Sequence, residues 1–225
     1  LSSADYLRKL LKRHIPYRVI PTATDLSKYS SINTIKNKKK IKFVFLGGAS
    51  FPYLPLQALN FVKQLIELDF DCSIDFINKG EKKLLNRISK EINFPLKRLN
   101  IFEMKSDEIP LYLQKYDCGL VFISQGEWLK MCSPTKIGEY LAAGLHVVGI
   151  EGIDVLERLA KNTLCVDNLS KNFENENISK EKIKKIIKNI SAIGRREKSI
   201  KLAKEFYDLN SALNKYFLIY KNILN

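Results

Sequence analysis

The chain has 225 residues, 45% of them hydrophobic, which is enough to bury one large core or two small ones. No run approaches the ~18 apolar residues of a membrane-spanning helix, and no long low-complexity tract is present. The formal net charge of +14 suggests nucleic acid, but the lysines alternate with Ile, Asn and Glu as on solvated helix faces, so no specific nucleic-acid partner is expected.

In chain order, Ser3 to Arg13 reads as a short helix with Tyr6, Leu7, Leu10 and Leu11 on one face, closed by Pro16. It is amphipathic and lacks a signal-peptide apolar region. Val19 to Pro21 is a brief extended piece, and residues 22–40 are polar, ending in the basic run Lys36 to Lys40. Residues 1–40 are therefore assigned to a helix and a linker.

The main domain is expected over residues 41–192. Strand Ile41 to Gly47 runs into the Gly47-Gly48 pair, and Pro52 and Pro55 delay a helix over Leu56 to Leu68. Cys72 to Asn78 is the second strand, Glu81 to Ile92 the second helix and Leu99 to Met104 the third strand. Ser106 is the expected cap of a helix through Gln114. Asp117 to Ile123 is the fourth strand, followed by a polar loop, Ser124 to Met131. Ser133 is the expected N-cap of the next helix, with Pro134 in its first position, and Gly144 ends it. His146 to Ile150 and Leu164 to Val166 are the fifth and sixth strands, and residues 167–180 read as a polar loop. Ser179 caps a helix to Ile190. Residues 193–225 hold two more helices, Arg195 to Asp208 and Ala212 to Leu224, whose aromatics Phe206, Tyr207, Tyr216, Phe217 and Tyr220 are expected to pack. The alternation predicts an α/β fold: a Rossmann-like doubly wound parallel sheet with right-handed crossovers and extra C-terminal helices.

The stretch most suggestive of chemistry is Cys132 to Ile150, CSPTKIGEYLAAGLHVVGI. It places a helix N-terminus at the strand ends of an open sheet, where free N–H groups attract anions. Lys136 adds a positive charge there. Glu139, one turn on, either accepts from a diol beside a bound phosphate or is an exposed residue paired with Lys136. Gly47-Gly48 either lets a ligand approach the backbone or is an ordinary turn. Cys72, Cys118 and Cys165 sit in or beside apolar runs as small core residues, the usage of a reducing cytoplasm. With His14 and His146 as the only histidines, no metal site is expected.

SPTKIGEYLAAGLHVVG resembles the nucleotide-sugar segment of retaining GT-B glycosyltransferases of family 4, whose common form is close to SPxKxxEYLAxGxPVV. VIPTATDLSKY, from Val19 to Tyr29, is similar to the family's interdomain linker, and IKFVFLGGAS, from Ile41 to Ser50, to the first strand and glycine turn of its C-terminal domain. The resemblance implies transfer of a sugar, with retention, from a nucleoside-diphosphate sugar in polysaccharide, lipopolysaccharide or other glycan synthesis. That sugar nucleotide is a substrate, and no cofactor or metal is implied. Ser133, Thr135 and Lys136 would meet the diphosphate, the latter two through backbone N–H groups. Glu139 would hold the ribose, the main chain of Met104 and Lys105 the base, Gly47 and Gly48 the closely approaching ligand, and Glu127 the donor sugar. No catalytic residue is assigned.

An N-terminal acceptor domain would precede the linker, so the chain alone is expected to bind nucleotide weakly and transfer nothing. Relatives that act on lipid-linked acceptors suggest a place at the inner face of a membrane, where each exposed lysine contributes about 1 kcal/mol. The chain departs from the family pattern in three places. Met131 stands where a second glutamate is usual, Ala49, Ser50 and Phe51 where an Arg or Lys often follows the glycine turn, and His146 where proline is usual. They keep open a second reading, the same fold with a degenerate site working through association. A sugar-nucleotide epimerase would need a carboxylate and histidine set that is not found.

Overall fold

The computed structural model describes residues 8–9, 11–12, 20, 22–29, 40–124, 133–174 and 177–224. Most of the expected helix over Ser3 to Arg13, most of the basic run, and the loop carrying Glu127, Met131 and Cys132 lie outside them.

Six strands form one all-parallel sheet: β1 (Ile41–Leu46), β2 (Cys72–Ile77), β3 (Leu99–Phe102), β4 (Cys118–Val121), β5 (His146–Ile150) and β6 (Val166–Leu169). Their order is β3-β2-β1-β4-β5-β6. The chain builds outward from β1 through β2 and β3, then returns to β1's other side with β4. That reversal leaves a crevice beyond the C-terminal ends of β1 and β4. The helices are α1 (Pro55–Glu67), α2 (Lys82–Glu91), α3 (Ile109–Leu113), α4 (Thr135–Ala142), α5 (Asp154–Asn162), α6 (Lys180–Ile190), α7 (Arg195–Phe206) and α8 (Leu209–Leu224).

Strands buried on both faces read as continuous apolar runs, and β1 illustrates why. Phe43 and Phe45 enter one core with Phe61 of α1 and Ile186 of α6, while Val44 and Leu46 enter the other with Tyr140 of α4 and Ala203 of α7. Cys72, Cys118 and Cys165 are buried free thiols, and burial pushes the Cys72 thiol up to about 12. Ser179 caps α6 as expected, its hydroxyl accepting from the Lys182 amide at 3.2 Å.

Several expectations are corrected. The sixth strand lies at Val166–Leu169, overlapping the expected polar loop, because Asp167 is buried and accepts from Asn189 at 2.8 Å and pairs with His146 at 3.1 Å. That network occupies the start of β5, at the far end of the strand from the crevice. Ser106 caps nothing: α3 begins after Glu108, whose carboxylate accepts from the Lys105 amide at 3.2 Å and whose own amide donates to the Lys105 carbonyl at 3.1 Å. Residues 22–29, in the stretch assigned as a linker, pack against the main domain. The Thr24 amide donates to the Tyr207 carbonyl at 2.7 Å, and Tyr29 is buried in the turn Leu26–Tyr29, which packs against α3. Of the C-terminal aromatics only Tyr207 packs inside, whereas Phe217 and Tyr220 of α8 are 68% and 62% exposed. Among the described residues, no helix is long and apolar enough to cross a membrane.

Candidate functional site

A cavity of about 340 Å³ opens at the crevice. Its walls include Gly47, Gly48, Asn78, Met104, Thr135, Lys136 and Glu139. The fold thus brings together six of the nine residues singled out from the sequence. Lys105 does not line it: the side chain is exposed and its amide is taken by Glu108. Glu127 lies outside the described residues.

Ser133 does not cap α4. Pro134 holds the cap position in an extended conformation (φ −62°, ψ 118°), which carries Ser133 off the helix end. Its hydroxyl instead shares a 2.8 Å hydrogen bond with Thr22. Thr135, exposed, is the first helical residue.

The turn after β1 requires its glycines. Gly47 has φ +141°, and a Cβ there would lie 2.4 Å from Lys136 Nζ and 2.8 Å from Tyr53 Cε1. A Cβ on Gly48 would meet Glu81 Oε2 at 2.9 Å. The distance between this turn and α4 is set from below by Tyr140. Its hydroxyl accepts from the Leu46 amide at 2.8 Å, and its ring fills the space a Cβ on Gly119 would need.

Lys136 Nζ sits 3.7 Å above the centre of the Tyr53 ring. Burial lowers its pKa to about 7, against the opposing pull of Glu139. Glu139 is half-buried rather than exposed, and burial pushes its carboxyl up, opposed by Lys136. Among the described residues the two side chains make no ion pair and the Glu139 carboxylate makes no hydrogen bond. A desolvated cation and carboxylate without such partners, in a cleft at a strand-order reversal, make this crevice the candidate binding site.

Sequence reasoning missed Tyr53, Asn78 and Glu81. The signal was available for the last two: Asn78 and Glu81 stand three apart ahead of an apolar helical run, the spacing of a capping box. In the structure the Glu81 amide donates to Asn78 Oδ1 at 3.0 Å, and Asn78 Nδ2 donates back to the carboxylate at 3.1 Å.

Other candidate features lie elsewhere. Asp69-Phe70-Asp71 has a D-x-D spacing but sits at the opposite end of the sheet, where Asp71 pairs with Arg98. Among the described residues no group of His, Cys, Asp or Glu could hold a metal ion. A wider hollow of about 670 Å³ runs along the outer edge of β3 by Asp75, Asn100 and Tyr112, and none of the expected site residues lines it.

No protein-family model and no curated protein matches the sequence. Solved structures do match in shape. A glycosyltransferase from Rickettsia africae superposes with a TM-score of 0.70 at 15% identity, over 92% of this chain and 57% of that one. The C-terminal domain of a glycosyl transferase group 1 family protein from Francisella tularensis matches over 84% of this chain and 96% of its own length, with a TM-score of 0.51 and 14% identity. The fold is that of a C-terminal GT-B domain. An Anabaena protein with the same GT-B architecture, solved in complex with UDP-glucose, has a TM-score of 0.64 at 13% identity over 91% of this chain and 57% of that one. This chain spans about half the length of the Rickettsia and Anabaena proteins.

Proposed function

We propose that the chain is the donor-binding domain of a retaining, sugar-nucleotide-dependent glycosyltransferase of the family 4 type. The carrying observation is the crevice where Lys136 and Glu139 of α4 face the Gly47-Gly48 turn across the sheet's reversal point. The neighbour solved with UDP-glucose supports a nucleotide-sugar ligand.

In this reading the diphosphate lies at the N-terminus of α4, against the Thr135 and Lys136 amides. Glu139, one turn deeper, accepts from the ribose hydroxyls, and Met104 flanks the base. As the glycosidic bond breaks, negative charge grows on the departing diphosphate. The helix dipole, the backbone donors and the Lys136 ammonium stabilise that charge in a place already shielded from water. The sugar acceptor needs a second wall, which places transfer in an assembly with an N-terminal domain and leaves this chain a weak binder by itself. Metal independence, a cytoplasmic location and work at a membrane surface belong to the same proposal.

Isothermal titration of UDP, GDP, ADP and CMP tests it. One diphosphate is expected to bind, and the 2′,3′-dideoxy form of that nucleotide to bind at least fivefold more weakly. Equal affinity for the dideoxy form removes Glu139 as a ribose ligand and with it the main support for the reading.

A further inference from the structure

Glu81 is the residue before α2, at the end of the loop that follows β2. Its side chain turns back to the glycine turn of a different β-α unit. One carboxylate oxygen accepts from the Ala49 amide at 2.5 Å and from Asn78 Nδ2 at 3.1 Å, and the other accepts from Ser50 Oγ at 2.6 Å. The Ser50 hydroxyl first, and then the Ala49 amide, hold its carboxyl below the usual carboxylate range, so it is charged at neutral pH. Gly48 has no side chain, and this lets the carboxylate approach: a Cβ there would stand 2.9 Å from Oε2. The neighbouring Gly80 amide is fixed separately, donating to Glu103 at 3.0 Å.

This arrangement changes the electrostatics of the crevice. A glycine turn followed by a free amide ordinarily offers its N–H groups to a ligand's phosphate. Here the Ala49 amide is already engaged by a carboxylate, and a phosphate brought to it would meet a like charge. The first residues after the turn, Ala49, Ser50 and Phe51, carry no cation to offset this. The positive potential lies on the opposite wall, with Lys136 and the N-terminus of α4.

We infer that Glu81 takes an anion's place at the glycine turn, holding the turn in its open shape and leaving the ligand's phosphates to Lys136 and α4. The inference rests on the donor-site reading. Glu81 is on this account a positioning residue: it shapes the wall and touches no phosphate. Its shape-holding role needs acceptor atoms rather than charge, and a glutamine supplies an acceptor at the same reach.

The test compares wild type, Glu81→Gln and Glu81→Ala in two measurements. The first is amide hydrogen exchange at Ala49 without ligand. The second is titration with whichever of UDP, GDP, ADP and CMP binds wild type most tightly. Exchange at Ala49 is expected to be slow in wild type and Glu81→Gln and at least tenfold faster in Glu81→Ala. Nucleotide affinity is expected to fall at least fivefold in Glu81→Ala and to stay level or rise in Glu81→Gln, where a repelling charge is gone. Equal losses in both variants would overturn the inference, because the charge itself would then be in use. Wild-type affinity in Glu81→Ala overturns it too, as does fast exchange at Ala49 in wild type. Failure of wild type to bind any of the four nucleotides overturns the donor-site reading, and the Ala49 exchange then still decides whether the clamp exists.

Discussion

On the turn wall of the crevice, the Glu81 carboxylate is surrounded by donors from Ala49, Ser50 and Asn78 and is held well ionised. On the helix wall, burial pulls Lys136 down to about 7 and pushes Glu139 up, and among the described residues neither side chain has a hydrogen bond or an ion pair. Both walls place charged groups at the ends of the same sheet. One wall spends its polar groups on itself and gains a fixed shape. The other has lost water and, apart from the Tyr53 ring under Lys136, has no side-chain partner in its place, so its groups still gain when a ligand supplies partners. A charged residue near a cleft therefore says little until its partners are counted.

The largest expected effect comes from breaking the tie that holds the walls apart. Gly119→Ala puts a Cβ 2.3 Å from the Tyr140 ring, in a strand that cannot yield easily. We expect a loss of about 3 kcal/mol in stability, read as a lowered urea midpoint with unchanged slope. Wild-type stability in this variant would mean that Tyr140 moves freely and does not set the spacing.

Lys136→Ala sharpens the helix wall. Diphosphate affinity should fall by roughly 2 kcal/mol, about thirtyfold, with no change for the bare nucleoside. The loss should shrink as salt rises. An equal loss for nucleoside and diphosphate would place Lys136 away from the phosphates.

The proton balance of the same residue is the next effect. Burial lowers its folded pKa to about 7, so the empty site holds this proton less firmly than free lysine does. A bound diphosphate favours the charged form. Binding then takes up a proton above pH 7 and weakens as pH rises, by roughly tenfold between pH 7 and 8.5. Titration in buffers of different ionisation enthalpy measures the uptake, and Lys136→Arg, charged throughout, should abolish it.

Glu139→Gln should cost roughly 1 to 2 kcal/mol in nucleotide binding, and only for ligands with a ribose diol. Its effect on stability has the opposite sign. The folded pKa of this acid is raised, so its contribution to stability is full below the unfolded pKa and is lost as pH rises. At pH 7 the glutamine variant should melt at or above wild type, and a lower melting point would mean that the carboxylate has partners of its own.

The smallest effect is expected where no wall exists. Phe217→Ser on α8, 68% exposed, should change stability by less than about 0.5 kcal/mol. A large loss would mean that α8 packs in solution.

Most of the sheet was legible in the sequence because its signal is local. Short apolar, β-branched or aromatic runs such as FVFL in β1 and VVGI in β5 fit strands buried on both faces, and the alternation with helices points to parallel pairing. Gly47, Gly48, Lys136 and Glu139 could be singled out because each sits next to a strand end or helix start visible in the chain itself. What sequence could not reach depended on distant partners. Asp167 and Asn168 look like loop residues, yet they lie in a strand because His146 and Asn189 satisfy the Asp167 carboxylate inside the protein. Ser133 has the chemistry of a cap, but Thr22 takes its hydroxyl. The aromatics of α8 have the spacing of a packed helix, and the described residues offer no surface to cover them. Glu81 reads as an ordinary helix start until the fold carries it 31 residues back along the chain to Ser50. Apolar periodicity reports which side of an element is buried. Whether a polar group is buried, capped or free depends on what the tertiary fold brings to it, and that is decided by residues far away in the sequence.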